Sequence, residues 1–136
     1  MQITRETDYA IRCVCYLAGK KDEVTMMDEI ARSKTIPKSF LAKILQRLAK
    51  AKIVKSYRGV KGGFQLARKP KEISLLDVIE AIEGPIVMNK CAIDKRMCDL
   101  SDTCSVHPVW VELRKMVEKR LKKSDFASLI RSGEQS

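Results

Sequence analysis

The feature that most constrains the fold is a glycine-rich turn between two short strands, placed directly after a basic amphipathic helix. The turn is Arg58-Gly-Val-Lys-Gly-Gly63, and residues 53–57 and 64–67 on either side of it have the β-branched and aromatic composition of strands. The spacing of large aliphatic residues predicts a helix over 37–50 whose apolar face consists of Leu41, Ile44, Leu45 and Leu48. A hairpin that follows such a helix at once is typical of a recognition helix with a wing beside it.

A shorter helix precedes the basic one. Thr25-Met-Met-Asp28 resembles a capping box, which predicts a short helix through Ala31. Ser33-Lys-Thr-Ile-Pro37 then breaks the helix, and its proline suits the first turn of the next one. Two short helices joined by a tight break form a helix-turn-helix, and the hairpin makes it a winged one. The sequence therefore predicts a mainly α-helical fold with a small two-stranded β wing.

Charge is divided unevenly along the chain, and the division indicates a polyanionic partner. Residues 1–70 carry 16 Lys/Arg and 6 Asp/Glu, whereas residues 71–136 carry 11 of each, so the net charge of +10 lies in the first part. Within 34–69 there are 11 basic side chains and no acidic one. A membrane surface is the competing partner, but a membrane-binding helix would combine its lysines with Trp and Phe, which are sparse here. Double-stranded DNA is therefore the favoured partner.

The polar side of the basic helix and the tip of the hairpin supply the candidate DNA contacts. We expect the helix to face the major groove through Lys38, Ser39, Lys43 and Arg47. We expect the wing to reach the minor groove or the phosphates with two cations, while two glycines let its backbone approach closely. The wing residues in question are Arg58, Lys61, Gly62 and Gly63.

Two helices flank this basic part. The first spans 4–19, and Cys13 falls on its apolar stripe, where a small core residue fits. Ser74-Leu-Leu-Asp77 predicts the cap of another helix, which ends at Gly84.

The longest predicted helix spans 105–123 and carries a single apolar stripe, formed by Val106, Val109, Trp110, Leu113, Met116, Val117 and Leu121. A small domain offers little surface to cover this stripe, so the same helix of a second subunit is the expected partner. Ser124 is expected to cap a short helix over 125–130, followed by a frayed tail. The predicted parts are a winged-helix DNA-binding domain (1–84), a cysteine-bearing loop (85–104), a dimerisation helix (105–123), and a short C-terminal helix with its tail (124–136).

Three cysteines and the only histidine of the chain form a candidate metal site. Cys91, Cys98, Cys104 and His107 give the spacing C-x6-C-x5-C-x2-H in the one long irregular segment. Thiolate and imidazole ligands suit zinc or an iron–sulfur cluster. The spacing lacks the paired C-x2-C knuckles of structural zinc sites, which weakens the zinc interpretation. The odd total of five cysteines excludes a fully paired disulfide framework.

Together these motifs resemble the Rrf-two family of bacterial winged-helix regulators, in the group that includes IscR and NsrR, over nearly the whole chain. The resemblance rests on Thr7-Asp-Tyr-Ala10, Phe40-Leu-Ala-Lys-Ile-Leu-Gln-Arg-Leu48, the turn Arg58-Gly-Val-Lys-Gly-Gly63, Ser74-Leu-Leu-Asp-Val78, and three cysteines before a long helix. It implies a homodimer that binds a partly palindromic DNA operator, and we expect such a protein to act as a repressor. It also implies an iron–sulfur cluster held by the three cysteines.

The resemblance offers two candidates for the fourth cluster ligand. His107 stands where the IscR-like group has the histidine that completes a 2Fe–2S site. Asp8 stands where the NsrR-like group has an aspartate, donated by the other subunit, that completes a 4Fe–4S site. The helix dipole alone favours an acid in a first helical turn, so Asp8 is the weaker candidate. A 2Fe–2S cluster is therefore favoured over a 4Fe–4S cluster.

The resulting hypothesis is a transcription regulator that senses redox state, nitric oxide or iron–sulfur status. The alternative is a cluster-free family member whose DNA binding is controlled by a regulatory protein partner or by thiol oxidation. An enzyme is not expected, because the sequence contains no nucleophile–base pair and no phosphate-binding loop. No apolar run approaches the roughly 18 residues of a membrane span, so we expect a cytoplasmic protein without membrane contact.

Overall fold

The computed structural model describes residues 3–20, 22–86 and 105–135. In this part of the chain it is mostly helical, with one two-stranded antiparallel sheet, which confirms the predicted fold class. None of the described helices is long and apolar enough to cross a membrane. The elements are α1 (Arg5–Gly19), α2 (Met27–Lys34), α3 (Lys38–Lys50), β1 (Val54–Tyr57), β2 (Gly63–Leu66), a 3-10 turn (Pro70–Glu72), α4 (Leu75–Glu83), α5 (His107–Lys122) and α6 (Phe126–Gln135).

The core lies between α1, α3 and α4, and it confirms the predicted apolar face of the basic helix. The four predicted core side chains of α3 are buried, and they pack in one cluster with Val14 and Leu17 of α1 and Val78 of α4. Cys13 is also fully buried in this cluster, as its place on the stripe of α1 predicts. Each fully buried aliphatic side chain of this size contributes about 1.5–3 kcal/mol relative to an exposed one. The outer face of α3 is thereby left for solvent.

The segment before α2 pairs with the wing, and this pairing makes the predicted capping box wrong. The Thr25 amide donates to the Phe64 carbonyl at 2.8 Å, and the Phe64 amide donates to the Thr25 carbonyl at 2.8 Å. Because the Thr25 backbone is held extended by this bridge, α2 begins later, with Met26 as its N-cap and no side-chain cap hydrogen bond. The wing is therefore tied to the helix-turn-helix through a third backbone segment.

The cap of α4 is confirmed by two reciprocal hydrogen bonds. The Asp77 amide donates to the Ser74 hydroxyl at 3.2 Å, and the Ser74 amide donates to the Asp77 carboxylate at 3.0 Å. The helix ends at Glu83, and Gly84 follows at φ +81°, a backbone conformation that glycine adopts without strain.

The C-terminal helix is longer than predicted and belongs to the core. It continues to Gln135, so the predicted end at residue 130 is wrong. The predicted cap is wrong as well, because the Ser128 amide donates to the Asp125 carboxylate and the Ser124 hydroxyl donates to the Arg120 carbonyl instead. The buried Phe126 side chain fixes α6 to the core, which explains why a six-residue pattern underestimated this helix.

Backbone hydrogen bonds join the chain at the start of α4 to the chain just after α5. The Leu75 amide donates to the Ser124 carbonyl at 2.9 Å, and the Phe126 amide donates to the Ile73 carbonyl at 3.0 Å. The start of α4 and the end of α5 are thus held side by side. Helix α5 begins at His107, two residues after the predicted start. The domain boundaries stay a prediction, and most of the predicted cysteine-bearing loop lies outside the described residues.

Two glycines of the wing are required by close backbone contacts. A Cβ atom at Gly63 would lie 2.4 Å from the Thr25 carbonyl oxygen, and one at Gly62 would lie 2.4 Å from the Tyr57 carbonyl oxygen. Such separations do not occur for a real Cβ, so the backbone would have to move. Gly63 therefore permits the bridge between the wing and the segment before α2.

Replacing Gly63 with alanine is expected to lower the free energy of unfolding by about 2 kcal/mol or more, because the bridge to Thr25 must open. The matched control is Gly19→Ala, since no heavy atom lies within 4 Å of the added Cβ at the end of α1. The control should be neutral or stabilising by up to ~1 kcal/mol. Urea denaturation followed by circular dichroism measures both variants. Equal midpoints for the two would contradict the proposed role of the bridge.

Candidate nucleic-acid interface and cysteine-bearing segment

The outer face of α3 carries a row of exposed polar side chains. Ser39, Lys43, Gln46 and Lys50 follow one another at helical spacing, and all four are exposed. Within the described residues none of them has an ion-pair or hydrogen-bond partner. Ser39 and Lys43 are among the DNA contacts predicted from the sequence. Gln46 and Lys50 are not, although the same helical spacing continued for another turn includes them.

The other two predicted contacts of α3 lie at its flanks and are already paired. The Lys38 ammonium lies 3.0 Å from the Asp28 carboxylate of α2. The Arg47 guanidinium lies 3.1 Å from the Glu6 carboxylate of α1, and it also donates to the Ile82 carbonyl at 3.3 Å. Both side chains are about half exposed or more, so water screens these ion pairs. A contact with DNA would have to compete with these acids.

The wing presents its tip to solvent. Arg58 and Lys61 are exposed and have no partner among the described side chains, and Val60 between them is 98% exposed. The Gly62 amide donates to the Gly59 carbonyl at 3.0 Å, which closes the turn. The turn therefore holds two free cations on either side of an apolar tip.

The first helix contacts α3 through an aromatic pair. The Tyr9 and Phe40 rings meet edge to face with centroids 5.8 Å apart, and the Arg12 guanidinium lies 5.5 Å from the Tyr9 ring centroid. Arg12 also pairs with the Asp8 carboxylate at 2.8 Å. The candidate ligand Asp8 is therefore on a half-exposed surface of α1 and is neutralised by an arginine one turn away.

His107 is the one candidate metal ligand of the predicted C-x6-C-x5-C-x2-H set that lies in the described part of the chain. Cys91, Cys98 and Cys104 lie outside the described residues. No group of three His, Cys, Asp or Glu side chains within the described residues could hold a metal ion. Of the four predicted ligands, only the surroundings of His107 can therefore be described.

The environment of His107 fits a ligand better than a surface residue. Its side chain is only 7% exposed at the start of α5, so it does not face solvent. Its buried Nδ1 atom has no hydrogen-bond partner among the described residues. A buried polar atom left without a partner costs about 1–3 kcal/mol. A metal bond or a hydrogen bond to the neighbouring cysteine-bearing segment would remove this cost.

The apolar stripe of α5 is divided between two environments. Its Trp110, Val117 and Leu121 side chains are half-buried, and α5 packs against α4. The other side chains of the stripe form an exposed row that begins at the N-cap residue of α5 and continues along the helix: Val106, Val109, Leu113 and Met116. Met116 is 58% exposed, so the described part of the chain leaves this exposed row of α5 uncovered.

A comparison with protein families identifies a matching family model. The Rrf2 model, described as "Iron-dependent Transcriptional regulator", matches residues 3–132. Among proteins of known role, the chain is 30% identical over 111 residues to the HTH-type transcriptional regulator NsrR of Bacillus subtilis, covering 80% of this chain and 76% of that protein. The family model therefore covers nearly the whole chain, including the wing and α5.

Solved structures show the same fold. CymR, described as the global cysteine regulator of B. subtilis, superposes with a TM-score of 0.79 at 25% identity, covering 97% of this chain and 98% of CymR. IscR of T. potens superposes with a TM-score of 0.79 at 24% identity, covering 99% of this chain and 90% of that one. The similarity includes the helices that follow the wing as well as the helix-turn-helix.

Proposed function

This chain belongs to the Rrf2 family of transcriptional regulators, and on that basis we propose that it binds a DNA operator through the outer row of α3 and the tip of its wing. The family and the named relatives are regulators of transcription and not enzymes. The observation that carries the proposal is the exposed row of Ser39, Lys43, Gln46 and Lys50, whose side chains have no partner within the described part of the chain. The direction of its regulation, expected to be repression, stays a prediction.

The two kinds of side chain in this interface serve different purposes. Lys43, Lys50, Arg58 and Lys61 can neutralise phosphates, which supplies affinity that decreases with salt. Ser39 and Gln46 can donate to and accept from base edges in the major groove, which supplies sequence discrimination. Lys38 and Arg47 already have acidic partners, so we assign them a smaller part in binding.

Lys43→Ala and Arg58→Ala are each expected to lower the slope of log affinity against log salt by about one per bound chain, because each removes a phosphate contact from every chain on the operator. The operator is first selected from random duplex DNA, and fluorescence anisotropy then measures affinity between 50 and 200 mM salt, the range over which such contacts act. Lys71→Ala, which removes one exposed charge on the 3-10 turn, should leave the slope nearly unchanged. An equal effect of all three variants would contradict the assigned interface.

We also propose that two chains form a dimer through the exposed row of α5. Val109, Leu113 and Met116 lie on one face of a helix of 16 residues, and contact with a second α5 would remove this apolar surface from water. In each chain, α1–α4 and the wing form the part that carries the DNA interface, which we call the head. Two heads joined in this way would present two copies of α3 to a two-fold symmetric operator.

Leu113→Glu is expected to convert the dimer to a monomer, because it places a charge at the centre of the proposed contact. Lys115→Gln is the control, since it changes the net charge by the same single unit at an exposed position on the opposite face of α5. Sedimentation velocity measures the molecular mass of each variant. The proposal fails if Leu113→Glu and the control sediment alike as dimers, or if the unchanged chain is a monomer.

For the regulatory site we propose an iron–sulfur cluster held by Cys91, Cys98, Cys104 and His107. Three observations support it: the ligand types of the sequence, the buried Nδ1 atom of His107 without a partner among the described residues, and the description of the family as iron-dependent. The pairing of Asp8 with Arg12 favours His107 over Asp8 as the fourth ligand. When bound, a cluster of this kind supplies a centre that reacts to redox state, nitric oxide or iron supply.

The placement of His107 connects such a site to DNA binding. His107 is the first residue of α5, directly beside the start of the proposed dimer face, while the far end of α5 is fixed to the head near Phe126. A change in what His107 binds therefore acts on the helix that sets the separation of the two heads. Two heads must lie about 34 Å apart to occupy successive major grooves on one face of DNA.

Anaerobically purified protein is expected to contain about two iron and two sulfide ions per chain, as a 2Fe–2S cluster requires. Cys98→Ala should abolish both, His107→Ala should shift the visible absorption or lose the cluster, and Asp8→Ala should retain it unchanged. Colorimetric iron and sulfide assays with absorption spectra measure each outcome. Loss of the cluster in Asp8→Ala and its retention in His107→Ala would instead assign a 4Fe–4S site.

A preparation without iron would favour the second candidate function, a cluster-free regulator controlled by a protein partner or by thiol oxidation. The similarity to CymR, described as a cysteine regulator, motivates this alternative. If a protein partner is the control, Cys98→Ala should leave the regulation of operator binding intact. A cluster-sensing regulator and a partner-controlled one therefore make opposite predictions for the same variant.

A further inference from the structure

A groove of about 530 Å³ lies on the side of the head formed by α1, α2 and α6. Its lining comes from the C-terminal half of α1, the last residue of α2 and the middle of α6, and it includes Cys15, Tyr16, Lys20, Lys34, Leu129 and Ile130. None of these side chains belongs to the outer row of α3, to the wing or to the exposed row of α5. The groove volume is within the range of roughly 300–1,000 Å³ that small-molecule sites occupy.

The polar wall of the groove has one more positive charge than negative charge. The Tyr16 hydroxyl donates to the Glu29 carboxylate at 2.6 Å, and the Lys20 ammonium lies 3.2 Å from the same carboxylate oxygen. The hydrogen bond from Tyr16, followed by that from Lys20, lowers the pKa of Glu29, which keeps this acid ionised. Glu29 therefore compensates Lys20.

The second ammonium group, on Lys34, is not compensated. It lies 5.9 Å from the centroid of the Tyr16 ring, and it has no carboxylate partner among the described residues. The ring holds the cation at the groove without neutralising its charge. The groove thus presents one free positive charge beside an aromatic wall.

The remaining walls are apolar. Leu129 and Ile130 pack partly against the core and leave the rest of their surface in the groove. Burial raises the pKa of the Cys15 thiol, with Lys34 acting in the opposite direction, so the thiol is neutral at pH 7 and brings no negative charge. An apolar surface and a single free cation therefore share one groove.

We propose that this groove binds a small amphipathic monocarboxylate, with its carboxylate on Lys34 and its hydrocarbon chain along Leu129 and Ile130. One free ammonium group matches one carboxylate, whereas a doubly charged phosphate would meet the same single cation and the nearby Glu29 carboxylate. The apolar walls of α6 match a chain of several methylenes, whose contact with water decreases when it lies along them. This ligand site lies apart from the DNA interface.

The test uses the full reduced chain and octanoate as the probe. Two-dimensional amide NMR is recorded during titration with octanoate, butyrate and octylammonium. Octanoate is expected to shift the amides of Tyr16, Lys34 and Ile130 together, with butyrate at least tenfold weaker and octylammonium without saturable shifts there. Lys34→Gln should weaken octanoate about tenfold, the loss expected for one hydrogen bond to a charged group. Lys71→Gln removes the same charge outside the groove and should bind octanoate as the unchanged chain does.

Three results would overturn the proposal. They are equal binding of octanoate and octylammonium, an unchanged affinity in Lys34→Gln, and shifts confined to the exposed row of α5. Folding is verified by the dispersion of the same spectra, so a misfolded variant is recognised at once. Operator binding is measured separately by anisotropy, so failure of the carboxylate site and failure of the regulatory function are distinguishable.

Discussion

The reciprocal pair of hydrogen bonds between Thr25 and Phe64 is the constraint on which the placement of the interface depends. A two-stranded hairpin alone is marginally stable in water, and here β2 gains a second backbone partner from the segment that leads into α2. The wing is thereby fixed relative to the helix-turn-helix. This arrangement explains why the position next to Phe64 is a glycine, since the Thr25 carbonyl occupies the space of a side chain.

Patterns that depend on neighbours in sequence predicted most of the fold. The apolar face of α3, the capping box of α4 and the wing follow from periodicity and turn chemistry, and the structure confirms them. The two wrong caps have a common cause. At Thr25 and at Ser124 the backbone pairs with a distant segment, Phe64 in one case and Leu75 in the other. Local propensity does not indicate such pairing, and each helix therefore begins later in the structure than its predicted cap implied.

The candidate site could be predicted only in part for a similar reason. The stripe of Leu and Ile in α3 indicated which side faces outward, but not which outward cations meet acids from other helices. Phe126 could not be predicted as a core residue, because one aromatic residue in a short segment produces no periodic pattern. Its burial nevertheless attaches α6 to the head. The position of His107 in sequence indicated a ligand, while its burial at the start of α5 depends on how α5 packs.

The acid-free window of the sequence does not remain acid-free in space, and this difference sharpens the interface. Asp28 and Glu6, which lie outside the window, pair with Lys38 and Arg47 at the two flanks of α3. The flanks are partly neutralised, and the cations of α3 without an acidic partner within the described residues, Lys43 and Lys50, lie in one narrow row. A wide basic surface would hold DNA in many orientations at similar energy. A narrow row in which Ser39 and Gln46 alternate with Lys43 and Lys50 restricts α3 to fewer orientations, which sequence-dependent contacts require.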